Sequence, residues 1–246
     1  MPLSLSGQRG VRVRPPDLDA LQRDVVLANH IVHRVGLVSA YGHVSARIPG
    51  TQTFLIPTRA SPALAREDRL LLMDVGGNRI EGEGTPNSEF WIHARIYAAR
   101  PDVGGVGHVH SPACVVLGQI SERVAVMFNQ GAVFGEGVPI FERAGLIRSR
   151  ELGDQVAATL GHCRAMLLRG HGANVADADV RRATVLACYL EENVALQLRA
   201  LAAAGGDRSR LRSFSEEEAE RVCEENTPPV LDRAWEYYSA LAERKI

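Results

Sequence analysis

The sequence is nearly without lysine, and this shortage limits the chemistry that the protein can perform. Lys245 is the only lysine among 246 residues. Schiff-base catalysis depends on a lysine amine in a buried pocket, and a single lysine beside the final residue is a poor candidate for that role. A reaction that develops a carbanion must therefore use another electron sink, and a divalent metal ion is the obvious candidate.

Cysteine is also scarce, and its distribution disfavours two kinds of site. The four cysteines are widely separated and form no CxxC pair: Cys114, Cys163, Cys188 and Cys223. Disulfide frameworks and thiolate zinc sites both need cysteines that are denser or paired. We therefore interpret these four residues as small buried hydrophobic side chains.

Excess charge and long apolar runs are missing as well. The net charge is −1 at pH 7, so neither nucleic acid nor a membrane surface is the expected partner. No apolar run reaches the length of a membrane span, and the arginine-containing N-terminal residues lack the apolar core of a signal peptide. These features predict a cytoplasmic protein.

Apolar residues, in contrast, make up 46% of the chain, enough for a substantial core. Residues 1–16 show no periodicity and predict a flexible arm, and residues 17–246 are predicted to form a single domain. Strands are predicted at 43–48, 53–56, 70–73, 79–81, 104–110 and 165–168, with tight turns between several of them. Helices are predicted from 17 or 19 to 35, at 89–99, 112–118 and 149–161, from 177 or 179 to 203, and from 215 and 228 onward. This order predicts an α/β or α+β fold with three layers, in which helices flank a central antiparallel or mixed sheet.

Two histidines in one predicted strand are the first indication of a functional site. His108 and His110 are two residues apart, so their side chains point to the same face of a strand. Two imidazoles on one strand make half of a metal site. Two ordinary histidines on a solvated face are the alternative, and stretches upstream and downstream bear on the choice.

The downstream stretch supplies a third imidazole and the upstream stretch an acid. His171 follows a buried strand and lies between Gly170 and Gly172, where it is well placed to face a ligand. Three histidine ligands with an open position are the pattern of a catalytic metal site. Glu89, in the first turn of a helix with Ser88 as its expected N-cap, is a fourth candidate, either as a ligand or as an acid/base. A salt-bridged glutamate at a helix start is the structural alternative.

Three segments resemble the class II aldolase/adducin family. They are Gly42-His43-Val44-Ser45-Ala46-Arg47, Asn87-Ser88-Glu89 with His93, and His108-Val109-His110 with Arg169-Gly170-His171-Gly172, in an order that covers most of residues 18–204. The resemblance implies a central, mainly antiparallel sheet between helices, and a tetramer with active sites at subunit interfaces. It also implies that His108, His110 and His171 bind one divalent metal ion per subunit, with Glu89 as the acid/base.

The chain departs from the sugar-phosphate aldolases of that family where they cradle phosphate. Those enzymes carry Gly-Asn, Thr-Gly and Ser-Ser, whereas the matching positions here are Gly42-His43, Thr58-Arg59 and Asn87-Ser88. The planar fork of Arg59 suits a carboxylate, and His43 offers a second polar contact. The candidate substrate-binding residues are therefore Gly42, His43, Arg59, Asn87 and Ser88. Residues 59–64 also resemble the branch that decarboxylates hydroxylated aromatic or pyridine carboxylates, although Arg59 could instead pair with a surface acid.

Together these features predict a metal-dependent carbon–carbon lyase that decarboxylates a small hydroxylated aromatic or heteroaromatic dicarboxylate. The substrate would chelate the metal, which stabilises the developing charge, while Arg59 holds a second carboxylate and Glu89 protonates the carbon. A class II aldolase acting on a hydroxy-ketone, keto acid or sugar phosphate is the main alternative. A non-catalytic adducin-like binding module and an iron-dependent oxygenase are further alternatives.

The sequence leaves open the identity of the metal ion and the role of two tyrosines. Three imidazoles and a carboxylate suit zinc, manganese, iron or cobalt, and zinc or manganese is expected. Tyr237 and Tyr238 lie near the C-terminal end, and family aldolases use a tyrosine from this part or from a neighbouring subunit. We expect these two tyrosines to pack a helix, and we leave them out of the predicted site.

Overall fold

The structure is a computed structural model that describes residues 18–120, 123–225 and 228–243. The predicted flexible arm at residues 1–16 and the candidate helix cap Asp17 lie outside the described residues. Among the described residues, no helix has an apolar stretch long enough to cross a bilayer.

One mixed sheet occupies the middle of the fold. The described residues form eight strands: β1 (His43–Arg47), β2 (Thr53–Pro57), β3 (Leu70–Asp74), β4 (Arg79–Glu81), β5 (Gly105–Val109), β6 (Ile140–Phe141), β7 (Ala165–Leu168) and β8 (Gly172–Asp177). Their order in the sheet is β4-β3-β2-β1-β5-β8-β7-β6. Every neighbouring pair is antiparallel except β6 and β7, which are parallel. The predicted mainly antiparallel sheet is confirmed.

Helices cover both faces of this sheet. They are α1 (Leu18–Arg34), α2 (Phe90–Ala99), α3 (Pro112–Gln119), α4 (Arg150–Leu160), α5 (Val180–Ala203), α6 (Glu216–Glu225) and α7 (Pro228–Glu243), with short 3-10 helices at Pro62–Leu64, Glu67–Arg69, Asn129–Phe134 and Arg208–Arg210. One apolar core joins α1, α3, α5 and α7 to the sheet, and a second core joins α2 and α4 to the opposite face. The predicted three-layer arrangement is therefore confirmed.

The side chains of β1 point alternately to the two faces of the sheet, and its polar side chains share one face. Val44 and Ala46 belong to the core beneath α1 and α5. Successive side chains on a strand point to opposite faces, so His43, Ser45 and Arg47 point toward α2. All five residues are buried because both faces of the sheet are covered. A run of polar side chains is thereby held in the interior beside α2.

Arg47 shows how one of these buried polar residues is satisfied. Its guanidinium group donates to the backbone carbonyls of Tyr97 at 2.5 Å, Val103 at 2.8 Å, Arg100 at 2.9 Å and Thr51 at 3.2 Å. These bonds connect β1 to the end of α2 and to the segment that leads into β5. The arginine of the first motif therefore has a structural explanation that is independent of any ligand.

Three predicted details were wrong or incomplete. Helix α2 begins at Phe90 and Glu89 is its N-cap, so Ser88 is not the cap. The carboxylate of Glu89 makes no cap bond, because it is used elsewhere, as shown below. Strands β6 and β8 were not predicted. Strand β8 is built partly from glycine, alanine and asparagine, which have low strand propensity, and it is held by pairing with both β5 and β7.

Other boundaries agree with the sequence patterns. Ser149 caps α4 by accepting the backbone N–H of Leu152, and Gly161 ends that helix. Of the two candidate caps of the long helix α5, Asp179 is the one used. The four cysteines are free, three of them are buried, and Cys223 is half-buried.

Candidate metal centre

Four potential ligand atoms converge near the facing ends of β5 and β8. One atom each from Glu89, His108, His110 and His171 lies within 4.8 Å of all the others. His108 is on β5, His110 follows that strand directly, and His171 immediately precedes β8. Glu89 reaches the same point from the N-cap of α2. The structure thus brings together the four residues that the sequence singled out for metal binding and acid/base chemistry.

The distances within this group match ligands around a single ion. The Nε2 atoms of His108 and His110 are 3.2 Å apart. Two nitrogens bound tetrahedrally to a zinc-sized ion would be separated by about 3.4 Å. Oε2 of Glu89 lies 3.5 Å from Nε2 of His171 and 3.8 Å from Nε2 of His108. One cation could therefore contact all four side chains with small adjustments.

The imidazole of His171 indicates that a partner belongs here. Both of its ring nitrogens are buried, and neither has a hydrogen-bond partner among the described residues. Buried polar atoms are nearly always paired, since an unpaired one carries its full desolvation cost. A divalent cation would supply the partner for Nε2, so the residues present fit the metal ion that the resemblance implies.

Glycine explains how His171 comes so close to His110. Gly172 has a φ of 149°, and a Cβ atom there would overlap the carbonyl oxygen of Val109 and lie 2.9 Å from Cα of His110. Only glycine accepts this backbone conformation and this contact at little cost. As a result the rings of His110 and His171 are 4.9 Å apart, centroid to centroid.

Asn174 orients one of the ligands and was missed by the sequence analysis. Nδ1 of His108 is 2.8 Å from Oδ1 of Asn174, and the two residues are paired across β5 and β8. Because an amide oxygen only accepts, Nδ1 of His108 carries the proton and Nε2 is left unprotonated toward the other ligands. Strand alternation beginning at Gly172 would have placed Asn174 on this face, but β8 itself was not predicted.

Glu89 is held as an ionised carboxylate. Its Oε1 accepts the backbone N–H of Ile147 at 2.8 Å, and the residue is only 7% exposed. Burial by itself raises the pKa of Glu89, but the nearby imidazole of His171, the charge of His108 and the Ile147 N–H together lower it. The recorded partners of Glu89 are histidines and a backbone N–H, unlike those of a glutamate in an ordinary surface salt bridge.

His108 and His110 are held in the neutral form that binds metals. Burial is the largest effect on both His108 and His110, and it lowers the pKa of each. A neutral imidazole has a free lone pair, so metal binding at neutral pH requires little proton release from these two residues.

The predicted substrate residues fall into two groups, of which Gly42 and His43 lie beside the centre. Gly42 has a φ of 112°, and a Cβ there would overlap Val38 and lie 3.0 Å from the carbonyl oxygen of His108. Close packing against β5 therefore explains this glycine. His43 is 4% exposed, and its ring centroid is 5.2 Å from that of His108.

Arg59 belongs to the second group, which lines a cavity of its own. It lines a cavity of about 390 Å³ together with Thr58, Arg69 and the acid Glu83, and none of the four ligands contributes to that lining. Arg59 is exposed and has no ion pair with another described residue. Arg59 therefore takes part in no recorded ion pair among the described residues, although the acid Glu83 lies on the wall of the same cavity.

Asn87 connects the two groups. Its Nδ2 donates to the carbonyl oxygens of Pro57 at 3.2 Å and Thr58 at 3.4 Å. This side chain thus ties the segment that carries Arg59 to the start of α2, two residues before Glu89. Ser88 is half-buried, and no side-chain hydrogen bond to another described residue is recorded for it.

The C-terminal tyrosines do not join the cluster. Tyr237 is 63% exposed. Tyr238 is buried against α5, where its hydroxyl donates to Oε1 of Glu192 at 2.9 Å. The expectation that these residues serve helix packing holds for Tyr238.

Comparisons with known proteins give one family match and two kinds of named relative. Residues 23–198 match the family described as Class II Aldolase and Adducin N-terminal domain. A 3,4-dihydroxyphthalate decarboxylase from Arthrobacter keyseri is 27% identical over 196 residues, which cover 74% of this chain and 79% of the relative. An L-fuculose phosphate aldolase from Escherichia coli is 30% identical over 162 residues, which cover 65% of this chain and 74% of that one.

A solved structure shows the same fold. The L-fuculose 1-phosphate aldolase from Glaciozyma antarctica superposes with a TM-score of 0.79 at 20% identity, and the match covers 96% of this chain and 94% of that one. At this level of identity the likeness establishes the architecture and leaves the reaction to be argued from the residues of the site.

Proposed function

Because this chain belongs to the class II aldolase and adducin family, we propose that it is a divalent-metal-dependent lyase that decarboxylates a hydroxylated aromatic or heteroaromatic carboxylate. Both kinds of named relative, the decarboxylase and the aldolase, are lyases. The observation that carries the proposal is the convergence of Glu89 and three histidines within 4.8 Å. The two reactions differ in the bond that is broken and in the substrate, so the substrate contacts distinguish them.

His108, His110 and His171 would hold the metal ion, with zinc or manganese proposed from the donor set. The bound ion would supply Lewis-acid stabilisation of negative charge on substrate oxygens. The protein's own contribution is to present three imidazoles at fixed positions. Asn174 fixes the ring of His108, and Gly172 brings His171 against His110.

Glu89 would move the proton that decarboxylation requires. As an ionised carboxylate it would accept the proton of the substrate hydroxyl and then deliver it to the ring carbon that carries the departing carboxylate. The electron pair of the broken carbon–carbon bond stays with that carbon and forms the new C–H bond, while carbon dioxide leaves. The N–H of Ile147 holds Oε1, which leaves Oε2 facing the histidines.

Arg59 supports the assignment of a carboxylate substrate. Its guanidinium group forms no recorded ion pair with another described residue, and it shares a cavity with two further charged side chains, Arg69 and Glu83. A planar guanidinium binds carboxylates through two parallel hydrogen bonds. It binds phosphate in the same way, and for that reason aldol cleavage of a sugar phosphate, the reaction named for the Escherichia coli relative, is the second candidate.

A direct comparison of two substrates tests the proposal. The purified protein, loaded with zinc or manganese, is incubated with 3,4-dihydroxyphthalate and separately with L-fuculose 1-phosphate. We expect release of carbon dioxide from the first and no aldehyde from the second. Cleavage of the sugar phosphate without carbon dioxide release would reassign the chain to the aldolases. Failure to bind any divalent metal would instead favour the adducin-like binding module.

We also propose that the protein is a homotetramer, as the family resemblance implies. Helix α3 directly follows the metal centre, and two large apolar residues there are exposed: Val116 on α3 (51%) and Ile120 at its C-cap (53%). Residues four apart on a helix are neighbours, so they form a small apolar surface that a second subunit could cover. Sedimentation velocity should show a mass four times that of the chain, and a monomer would contradict this proposal.

A further inference from the structure

A buried chain of polar side chains runs from α2 to the edge of the metal centre. Nδ1 of His43 is 2.7 Å from Nε2 of His93, and Nδ1 of His93 is 2.6 Å from Oγ of Ser45. The same Oγ is 2.8 Å from the hydroxyl of Tyr97. His93 and Ser45 are fully buried, Tyr97 is 1% exposed and His43 is 4% exposed. The proposed reaction does not by itself account for His93, Ser45 or Tyr97.

Each buried donor needs an acceptor, and this requirement fixes which atom donates in each hydrogen bond of the series. A buried phenol needs an acceptor for its proton. Either hydroxyl could donate in the bond between Tyr97 and Ser45, and Oγ of Ser45 is the side-chain acceptor within reach of Tyr97 among the described residues. The proton of Ser45 is then available to Nδ1 of His93. His93 must in turn donate through Nε2 to Nδ1 of His43. The opposite direction would leave the hydroxyl of Tyr97 buried without an acceptor.

This series of hydrogen bonds requires neutral side chains, and burial favours the neutral form of its titratable residues. Burial lowers the pKa of His93 to about 3, with His108 as the next largest influence. Burial also raises the pKa of Tyr97, so the phenol stays protonated. A neutral imidazole carries one ring proton. Since Nδ1 of His43 is the acceptor for His93, the single proton of His43 lies on Nε2.

The position of His43 gives this proton a use. His43 and His108 are paired across β1 and β5, and their rings are 5.2 Å apart. The hydrogen bond recorded for His43 engages only Nδ1, so Nε2 has no partner among the described residues. A ring N–H beside a metal ligand is a ready donor for a negatively charged oxygen.

We propose that His93, Ser45 and Tyr97 are positioning residues that hold His43 in the tautomer protonated at Nε2, and that this N–H binds an anionic oxygen of the substrate beside the metal centre. A histidine free to exchange tautomers could equally accept a proton from a hydroxyl group. The fixed donor therefore favours a carboxylate or another anionic oxygen at this point. The identity of that oxygen rests on the proposed function, whereas the tautomer does not depend on which lyase reaction is catalysed.

Nitrogen NMR of the imidazoles measures the tautomer directly. The zinc-loaded protein is labelled with ¹⁵N-histidine, and two-bond ¹H–¹⁵N correlations distinguish protonated from unprotonated ring nitrogens. The signals of His43 are assigned by their absence in His43→Asn. We expect Nδ1 of His43 to be unprotonated and Nε2 protonated. We expect Ser45→Ala and Tyr97→Phe each to populate the other tautomer to a detectable degree.

Tyr238→Phe is the matched control, because it removes a buried phenol hydroxyl from a hydrogen bond elsewhere, to Glu192. It should leave the signals of His43 unchanged. A wild-type His43 protonated at Nδ1 would overturn the proposal, as would an unchanged tautomer in both Ser45→Ala and Tyr97→Phe. Thermal melting shows whether each variant is folded, and the wild-type spectrum remains decisive if either one is not.

The substrate contact has its own readout. His43→Phe cannot donate a hydrogen bond, so KM for a substrate that is turned over should rise about tenfold while kcat changes less. An unchanged KM would remove the substrate contact from the proposal. If neither test substrate reacts, the proposed function fails, while the tautomer measurement still decides the direction of the chain.

Discussion

The metal centre and the cavity beside Arg59 are built in opposite ways. In the centre the side chains are buried or half-buried, and several are fixed by further contacts, as His108 is by Asn174 and Glu89 by Ile147. Arg59 is exposed and has no ion pair with another described residue. Reactive groups are effective when their geometry is fixed in advance. The contrast predicts that a change at Arg59 alters substrate affinity with little effect on folding, whereas a change in the centre alters metal binding.

Removal of a metal ligand should have the largest effect. His171→Ala leaves two imidazoles and Glu89, and an activity that depends on Lewis-acid stabilisation of several kcal/mol should fall by about 10³-fold or more. Metal content after dialysis, measured by mass spectrometry, should fall together with activity. The exposed residue His162 provides the control, since His162→Ala should retain both. Retention of full metal content by His171→Ala would remove that residue from the centre.

Acid should destabilise the folded, metal-free protein through the buried histidines in and beside the metal centre. Burial lowers the pKa values of His43, His93 and His108 below the ordinary value of 6.5. The unfolded metal-free chain therefore binds protons below pH 6.5 that the folded chain does not bind. The free energy of unfolding should fall by about 1.4 kcal/mol per pH unit for each such histidine.

The melting temperature of the metal-free protein between pH 7.5 and 4.5 measures this effect. Stability should be retained above pH 6.5 and lost progressively below it. The lowered pKa of Glu89 acts with the same sign once the pH falls below its ordinary value of 4.5. His93→Gln should make the pH dependence shallower, and a melting temperature that is constant from pH 7.5 to 5 would contradict the assignment of neutral buried histidines.

Loss of the residue that orients His108 should have an intermediate effect. Asn174→Ala removes the acceptor for Nδ1 of His108 and leaves the ring free to rotate or to change tautomer. Residues of this kind typically contribute about 10–100-fold to metal affinity. Competition with a chelator measures that affinity, and Asn174→Asp, which keeps an acceptor oxygen, should lose less. Equal metal affinity in Asn174→Ala and the wild type would show that the strand pairing of β5 with β8 is enough to hold the imidazole of His108.

Much of this centre could be predicted because its signals are local. The spacing of His108 and His110 places both on one strand face, and the glycines around His171 indicate a tight approach of two backbones. The family motifs also predicted the layered fold. Sequence position alone was enough for these residues because each is fixed mainly by the conformation of its own segment.

The contacts that the sequence analysis missed are long-range ones. Asn174 lies on a strand whose composition does not favour a strand and which pairing stabilises. Ile147 contributes only a backbone N–H, for which a sequence has no signal. His93 and Tyr97 are four residues apart on α2 and therefore share one helical face, and His43 and Ser45 share one strand face. That matched spacing was visible in the sequence, but only the packing of α2 on β1 shows that the two pairs meet.

The smallest effect is expected from substitution of the exposed residue Arg59. Arg59→Ala should raise KM for a dicarboxylate about tenfold, because it removes a charge-assisted hydrogen bond from the substrate, while kcat, metal content and melting temperature stay close to the wild type. Arg66→Ala is the matched control, since Arg66 is exposed nearby, already pairs with Asp68 and does not line the cavity. Arg59→Lys should recover only part of the affinity, because an ammonium group lacks the planar fork. An equal change in KM from Arg59→Ala and Arg66→Ala would mean that general positive charge, rather than a specific contact, attracts the substrate.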